Sequence, residues 1–390
     1  MTLKERCEQV IDRAIAEGFV SGANLLVLKD GEEVLSCQRG YRDLENNLPM
    51  ERDTIFRLYS MSKPITGAAV MLLMERGLID LVEPVSTYLP GFVGQTVLEN
   101  GKRVPVERDV SIHDLLSMTS GLPYGDGPVE NAPLVQEVFE EVDRRLYTDD
   151  PMSLYDLANR LGECPLGFQP ASRWMYGTSA DILGAVVEVV SGMSFSEFLK
   201  KEFFEPLGMN DTGFYVPEEK QDRLAKVYRL KESGLVEEKT NFLGIRYDMK
   251  LEPAFASGGA GLVSTLDDYA KFASMLLNGG TLNGVKIFNP KTVEYFTTGS
   301  LTPWQDESYW RFWNRMTGYS YGNLMRVLKD PGMAQWNGSV GEYGWDSWLG
   351  CVFGNDPKHK FTFLFGIQRP DSGMTKLARR LRNLVVSELL

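Results

Sequence analysis

The sequence predicts an α+β fold: an antiparallel sheet flanked by helices, with a mostly helical domain inserted into it. Three observations predict it. Near the start, residues 23–28 and 33–37 are apolar runs separated by Lys29-Asp30-Gly31-Glu32, and an Asp-Gly between apolar runs marks a tight hairpin. Near the end, residues 360–367 read as a buried strand and residues 376–390 as a closing amphipathic helix. Between them, residues 85–255 carry short helical patterns and few strand signals. Sheet at both ends with helices between predicts a discontinuous core domain, 1–84 and 256–390, interrupted by a helical domain, 85–255. Ligand sites favour the cleft between two such domains.

The elements follow in order. Leu3, Cys7, Val10, Ile11, Ala14 and Ile15 place apolar groups on one face of a helix over 3–16. After the hairpin comes Ser60-Met61-Ser62-Lys63-Pro64, then an apolar helical run over 68–74 that ends near Gly77. Ser111-Ile112-His113-Asp114 reads as a capping box whose helix stops at Thr119-Ser120-Gly121, and Ser194-Phe195-Ser196-Glu197 heads a helix over 195–204. Residues 257–265, rich in glycine, read as a tight turn near a site or core, because the Gly-Lys-Ser/Thr of a phosphate cradle is missing. An amphipathic helix follows and ends at Asn278-Gly279-Gly280.

Composition excludes several function classes. The chain has 390 residues with 43% hydrophobic content, ample for a sizeable core. Net charge is −12 with the two signs well mixed and no basic cluster, so neither nucleic acid nor an anionic membrane is an expected partner. No apolar run has the length of a membrane span. Met1-Thr2-Leu3-Lys4-Glu5-Arg6-Cys7 lacks the apolar core of a signal peptide, which leads to the expectation of a cytoplasmic product. Cys7, Cys37, Cys164 and Cys351 are widely spaced and read as free thiols. Only two histidines occur, His113 and His359, and no Gly-x-Ser-x-Gly elbow. A histidine-based triad and a histidine-ligated metal site are therefore disfavoured, and no metal or cofactor is expected.

Ser60 and Lys63 form the only Ser-x-x-Lys in the chain. Pro64 is tolerated in a first helical turn, so Ser60 is placed at a helix start with Lys63 one turn later on the same side. The hydroxyl there feels the positive end of the helix dipole. A lysine held out of water beside it loses its proton near neutral pH and becomes a base for the serine nucleophile. The plainer alternative is a capping serine with a solvated lysine.

The remaining motifs resemble the serine β-lactamase and penicillin-binding-protein superfamily, most of all its class C branch with the family VIII esterases and D-aminopeptidase-like hydrolases. Ser60-Met61-Ser62-Lys63 matches the nucleophile motif, and residues 115–122 (Leu-Leu-Ser-Met-Thr-Ser-Gly-Leu) resemble the family's Leu-Leu-x-His-Thr-Ser-Gly-Leu. Tyr176-Gly177-Thr178 falls where the family carries Tyr-x-Asn, residues 259–265 resemble a further shared segment, and Tyr343-Gly344-Trp345 to Asp356-Pro357 has the spacing of the third-motif strand and its turn. The resemblance implies a β-lactamase/transpeptidase-like fold. It implies that Ser60 attacks a carbonyl and is acylated while Lys63 and Tyr176 handle the proton, Tyr176 with a lowered pKa. It also implies an oxyanion hole from the backbone N–H groups of Ser60 and of Trp348 on the third-motif strand.

The departures concern substrate. Where penicillin-recognising members have Lys-Thr-Gly, this chain has Trp345-Asp346-Ser347; esterase branches have Trp-Gly-Gly. Like charges repel by about 4 kcal/mol at ~4 Å and intermediate dielectric, so Asp346 in the cleft would disfavour a substrate carboxylate. Asp346 pointing to solvent or pairing with a basic residue is the alternative. Thr178, in place of the family's asparagine, leaves its hydroxyl or that of Ser179 as a substitute. Trp304, Tyr309, Trp310, Phe312 and Trp313 line the cleft for an apolar acyl group or pack as core. The expected function is a serine hydrolase cleaving a small-molecule ester or amide. The alternatives are a D-amino-acid amidase or peptidase on the same machinery and a non-enzymatic binding module.

Overall fold

A computed structural model describes all 390 residues. Its centre is one eight-stranded sheet in which every pairing is antiparallel. The strands are β1 (Gly22–Lys29), β2 (Glu32–Asp43), β3 (Leu48–Pro49), β4 (Tyr319–Gly322), β5 (Met325–Leu328), β6 (Tyr343–Asp346), β7 (Val352–Asp356) and β8 (Phe361–Gly366), in the order β4-β5-β6-β7-β8-β1-β2-β3. The two ends of the chain meet where β1 pairs with β8, from Asn24 opposite Gly366 to Lys29 opposite Phe361. The hairpin turns at Asp30 and Gly31, with φ of 53° and 85°, the left-handed pair that a two-residue turn of this hand requires.

Five helices matter to the site: α1 (Leu3–Ala16), α2 (Ser62–Glu75), α3 (Ser179–Ser191), α4 (Leu266–Leu277) and α5 (Lys376–Leu389). Leu25 and Val27 of β1 enter an apolar cluster with Cys7 and Ile11 of α1 and Leu381 and Val385 of α5. Leu26, between them, enters the larger cluster on the other face with residues of α2, α3 and α4. Both faces are thus covered, and the central strands read as continuous apolar runs rather than alternating ones. No single helix is long and apolar enough to cross a membrane.

The stretch between α2 and α4 holds more strand than its sequence pattern indicates. Thr96–Glu99 pairs with Lys102–Pro105, and Tyr228–Lys231 with Gly234–Glu237, as two small separate hairpins. Their strands are short and half exposed, so they lack the apolar signature by which a strand is recognised. The Ser111 capping box forms, but its helix is short, Ile112–Leu116.

Candidate active site

The nucleophile motif does not open directly into an α-helix. Tyr59–Met61 forms a 3-10 turn and α2 begins at Ser62. Tyr59 has a φ of 41°, a conformation disfavoured for an aromatic residue and typical of strain held at functional sites. The surroundings hold it there. Leu58 N–H donates to the Leu262 carbonyl, Phe56 and Arg57 pair with Ser264 and Val263, and Leu262 N–H donates to Ser62 Oγ at 3.0 Å. The second serine of the motif thus anchors the glycine-rich segment to the nucleophile turn.

Lys63 is fully buried, and its ammonium has three donors for three acceptors. They go to the Gly259 carbonyl at 2.9 Å, Tyr124 Oη at 3.0 Å and Ser60 Oγ at 3.3 Å. No carboxylate bonds it directly. Burial pulls its pKa down to about 7, against the pull of the Asp181 charge.

Tyr176 Oη donates to Ser60 Oγ at 2.7 Å and accepts from Trp345 Nε1 at 3.2 Å. The Lys63 nitrogen lies 4.7 Å from the centre of its ring. The expected lowering of the Tyr176 pKa is not found. Burial raises it, and the hydrogen bonds with Ser60 and Trp345 only oppose that effect. The phenol is therefore a neutral donor at rest, and of the two proton-handling groups Lys63 is the one poised near neutrality.

Backbone contact brings the two tyrosines together. Met175 N–H donates to the Met118 carbonyl, and Pro123 bridges to Gly177. A Cβ on Gly177 would lie 1.9 Å from the Leu122 carbonyl oxygen, so only glycine allows this approach. Tyr124 and Tyr176 then stand edge to face with centroids 5.6 Å apart. Sequence reasoning passed over Tyr124. Its signal was its place, two residues beyond the segment 115–122 that did attract attention.

Strand β6 presents Trp345 and Asp346, but it ends at Asp346. Ser347 and Trp348 lie in the turn beyond it, where the Ser347 carbonyl accepts from Gly350 N–H and Ser347 Oγ accepts from Leu349 N–H. The expectation of Trp348 on the strand is thus corrected by one turn. Its N–H donates to no protein group, while its indole donates to Asp371 at 2.8 Å and stacks on Phe242.

Asp346 lines the cleft and is also paired: Arg326 Nη1 meets its Oδ1 at 2.5 Å, with the side chains 6% and 8% exposed. Both readings of Asp346 hold in part, and its charge is compensated, which removes most of the expected repulsion of a carboxylate. Thr178 is displaced from the role considered for it. It heads α3 fully buried, its hydroxyl has no partner, and it does not line the cleft. Ser179 Oγ pairs instead with Ser120 Oγ. Neither hydroxyl bonds Lys63.

The cleft, about 400 Å³, is walled by Tyr59, Tyr124, Tyr176, Phe242, Trp345 and Trp348. Phe312 and Trp313 of the aromatic cluster join that wall, whereas Tyr309 is core, Trp310 bonds the Tyr319 carbonyl and Trp304 is exposed. A larger hollow of about 550 Å³ around Arg103 and Asn159 holds none of these groups. No cluster of His, Cys, Asp and Glu has the geometry of a metal site.

A family model described as "Beta-lactamase" matches residues 7–387. Esterase EstB of Burkholderia gladioli is 32% identical, covering 87% of this chain and 86% of its own. An N-acetylmuramyl-L-alanine amidase of Bacillus subtilis is 28% identical over 91% of this chain and 78% of its own. Among solved structures, "EstCE1, a hydrolase with promiscuous acyltransferase activity" superposes with a TM-score of 0.81 at 27% identity, covering 98% of each chain.

Proposed function

The chain belongs to the β-lactamase family, and from that premise we propose that it is a serine hydrolase of esterase type, cleaving small-molecule carboxylic esters or amides through an acyl-enzyme on Ser60. The observation that carries this reading is the Ser60 hydroxyl held between a buried amine of pKa about 7 and a phenol, 3.3 Å and 2.7 Å away.

Above that pKa the Lys63 amine is neutral and accepts the Ser60 proton as Oγ adds to the substrate carbonyl. The oxyanion is received by the N–H groups of Ser60 and Trp348, the second of which is unbonded in the protein. Collapse of the tetrahedral intermediate expels the alkoxide, which takes its proton from Tyr176. No hydrogen bond joins Lys63 to Tyr176, so the water that enters as the alcohol leaves carries the proton from the ammonium to the phenolate, leaving acyl-Ser60, a free alcohol and a neutral amine. Water then repeats the sequence on the acyl carbon and restores Ser60. The indole N–H of Trp345 steadies the Tyr176 oxygen while it is short of a proton.

The aromatic wall supports an apolar acyl group, and the relationship to an esterase supports esters over amides. With Asp346 Oδ1 engaged by Arg326, the acidic group considered for holding a substrate amine is already occupied.

The test is turnover of p-nitrophenyl butyrate with the acyl adduct located by mass spectrometry. The adduct on Ser60 and its loss in Ser60→Ala are expected. Full activity in Ser60→Ala overturns the assignment. Inertness toward esters, D-amino amides and β-lactams alike favours the binding module.

A further inference from the structure

Asp181 takes no part in the chemistry described, yet it is 2% exposed and lies behind Lys63 in the fold. It stands in the first turn of α3, five residues after Tyr176, at the end of the helix that favours a negative charge. Its Oδ1 accepts from Ser257 Oγ at 2.6 Å and from Gly259 N–H at 3.0 Å. Gly259 is therefore held at both ends: its N–H by Asp181, its carbonyl by the Lys63 ammonium. A Cβ on Gly259 would come within 3.0 Å of both Asp181 Oδ2 and Tyr124 Oη, and one on Gly258 within 2.4 Å of the Ala180 carbonyl. The glycine run thus lets the turn press against α3, so that the Gly259 peptide bridges the carboxylate and the amine.

The groups facing Lys63 are few. Ser60 lies on its own turn, Tyr124 on the loop after Ile112–Leu116, Tyr176 ahead of α3, and the Gly259 carbonyl on the glycine turn. Beyond Tyr176 stand Trp345 and the Asp346–Arg326 pair. Asp181 is the one carboxylate opposing the effect of burial on the amine.

We propose that Asp181 is a positioning residue whose carboxylate, acting through the Gly259 peptide, holds the Lys63 amine in place and sets the pH at which it becomes a base. The inference rests on the hydrolase reading. Without Asp181 the buried ammonium has no counter-charge, so the amine gives up its proton at lower pH and is also a weaker base.

The test is the pH dependence of Ser60 labelling by a fluorophosphonate ester, read as intact mass, with turnover of p-nitrophenyl butyrate measured alongside. Asn at 181 keeps the acceptor oxygen and removes the charge. In Asp181→Asn the acidic midpoint is expected to fall by about one pH unit, a tenfold shift, with a lower plateau. In Ser257→Ala, which loosens the clamp but keeps the charge, the plateau falls and the midpoint stays. A midpoint unchanged in Asp181→Asn, or equally moved in Ser257→Ala, overturns the proposal. Absence of Ser60 labelling in the wild type would instead overturn the hydrolase reading. Should Asp181→Asn not fold, Lys63→Met gives the answer. Its uncompensated carboxylate should make its melting temperature recover toward wild type on acidification from about pH 8 to about pH 5. A gap to wild type that does not narrow overturns the proposal.

Discussion

Replacing Arg326 with methionine removes the salt-bridge partner of the Asp346 carboxylate beside the cleft. The two side chains are 6% and 8% exposed and 2.5 Å apart, so neither charge is repaid by water once the other is gone. Removing one partner of a buried pair costs about 3–5 kcal/mol, whereas replacing both by apolar groups is often neutral. Arg326→Met should therefore lose about that much stability in urea unfolding, and Arg326→Met/Asp346→Leu should recover most of it. The same change has a functional side. In the wild type the compensated Asp346 is expected to discriminate little between p-nitrophenyl butyrate and the anionic hemisuccinate ester. With Arg326 gone, the bare charge should lower kcat/KM for the anionic ester by about tenfold more than for the neutral one, a part of the ~4 kcal/mol Coulomb limit. A stability loss under about 1 kcal/mol, or a double variant as unstable as the single one, refutes the reasoning about desolvation. An unchanged preference between the two esters refutes the claim that Arg326 neutralises Asp346 toward substrate.

Trp345→Phe keeps an aromatic ring against Tyr176 but removes the N–H that reaches its oxygen at 3.2 Å. Loss of one such bond, about 1 kcal/mol, should lower kcat/KM for p-nitrophenyl butyrate by about fivefold. A fall in melting temperature with no change in rate would mean that the indole serves packing alone. For the pH dependence, Lys63 is protonated below its pKa of about 7 and cannot accept the Ser60 proton, so kcat/KM should rise as pH passes through about 7 and level off above it. An acidic limb in the ordinary carboxylate range would point to a carboxylate base instead.

Much of the scaffold was legible because its signals are local. Asp30-Gly31 specifies its own turn, and helix α1 follows from apolar spacing. Strand β8 follows from an apolar run broken only by Thr362 before Gly366, and helix α5 from its pattern. The hairpins at 96–105 and 228–237 escaped because half-exposed four-residue strands carry no such pattern. The charge state of Tyr176 was misjudged for a related reason. A nearby ammonium can be guessed from motifs, but the burial that raises the phenol's pKa comes from packing, with Trp313 and Trp345 against the ring.

Ser60 and Lys63 are one turn apart on a single short segment, so local backbone geometry determines that a hydroxyl and an amine stand together, and the sequence by itself was enough to say so. It could not say what surrounds them. Tyr124 and the Gly259 carbonyl reach Lys63 from 61 and 196 residues away, and Tyr176 reaches Ser60 from 116. Asp346 is neutralised by Arg326, 20 residues earlier in the chain on the neighbouring strand β5. Those partners decide proton affinity and charge, because both are set by desolvation and by neighbouring dipoles, and only the folded packing of distant segments supplies them.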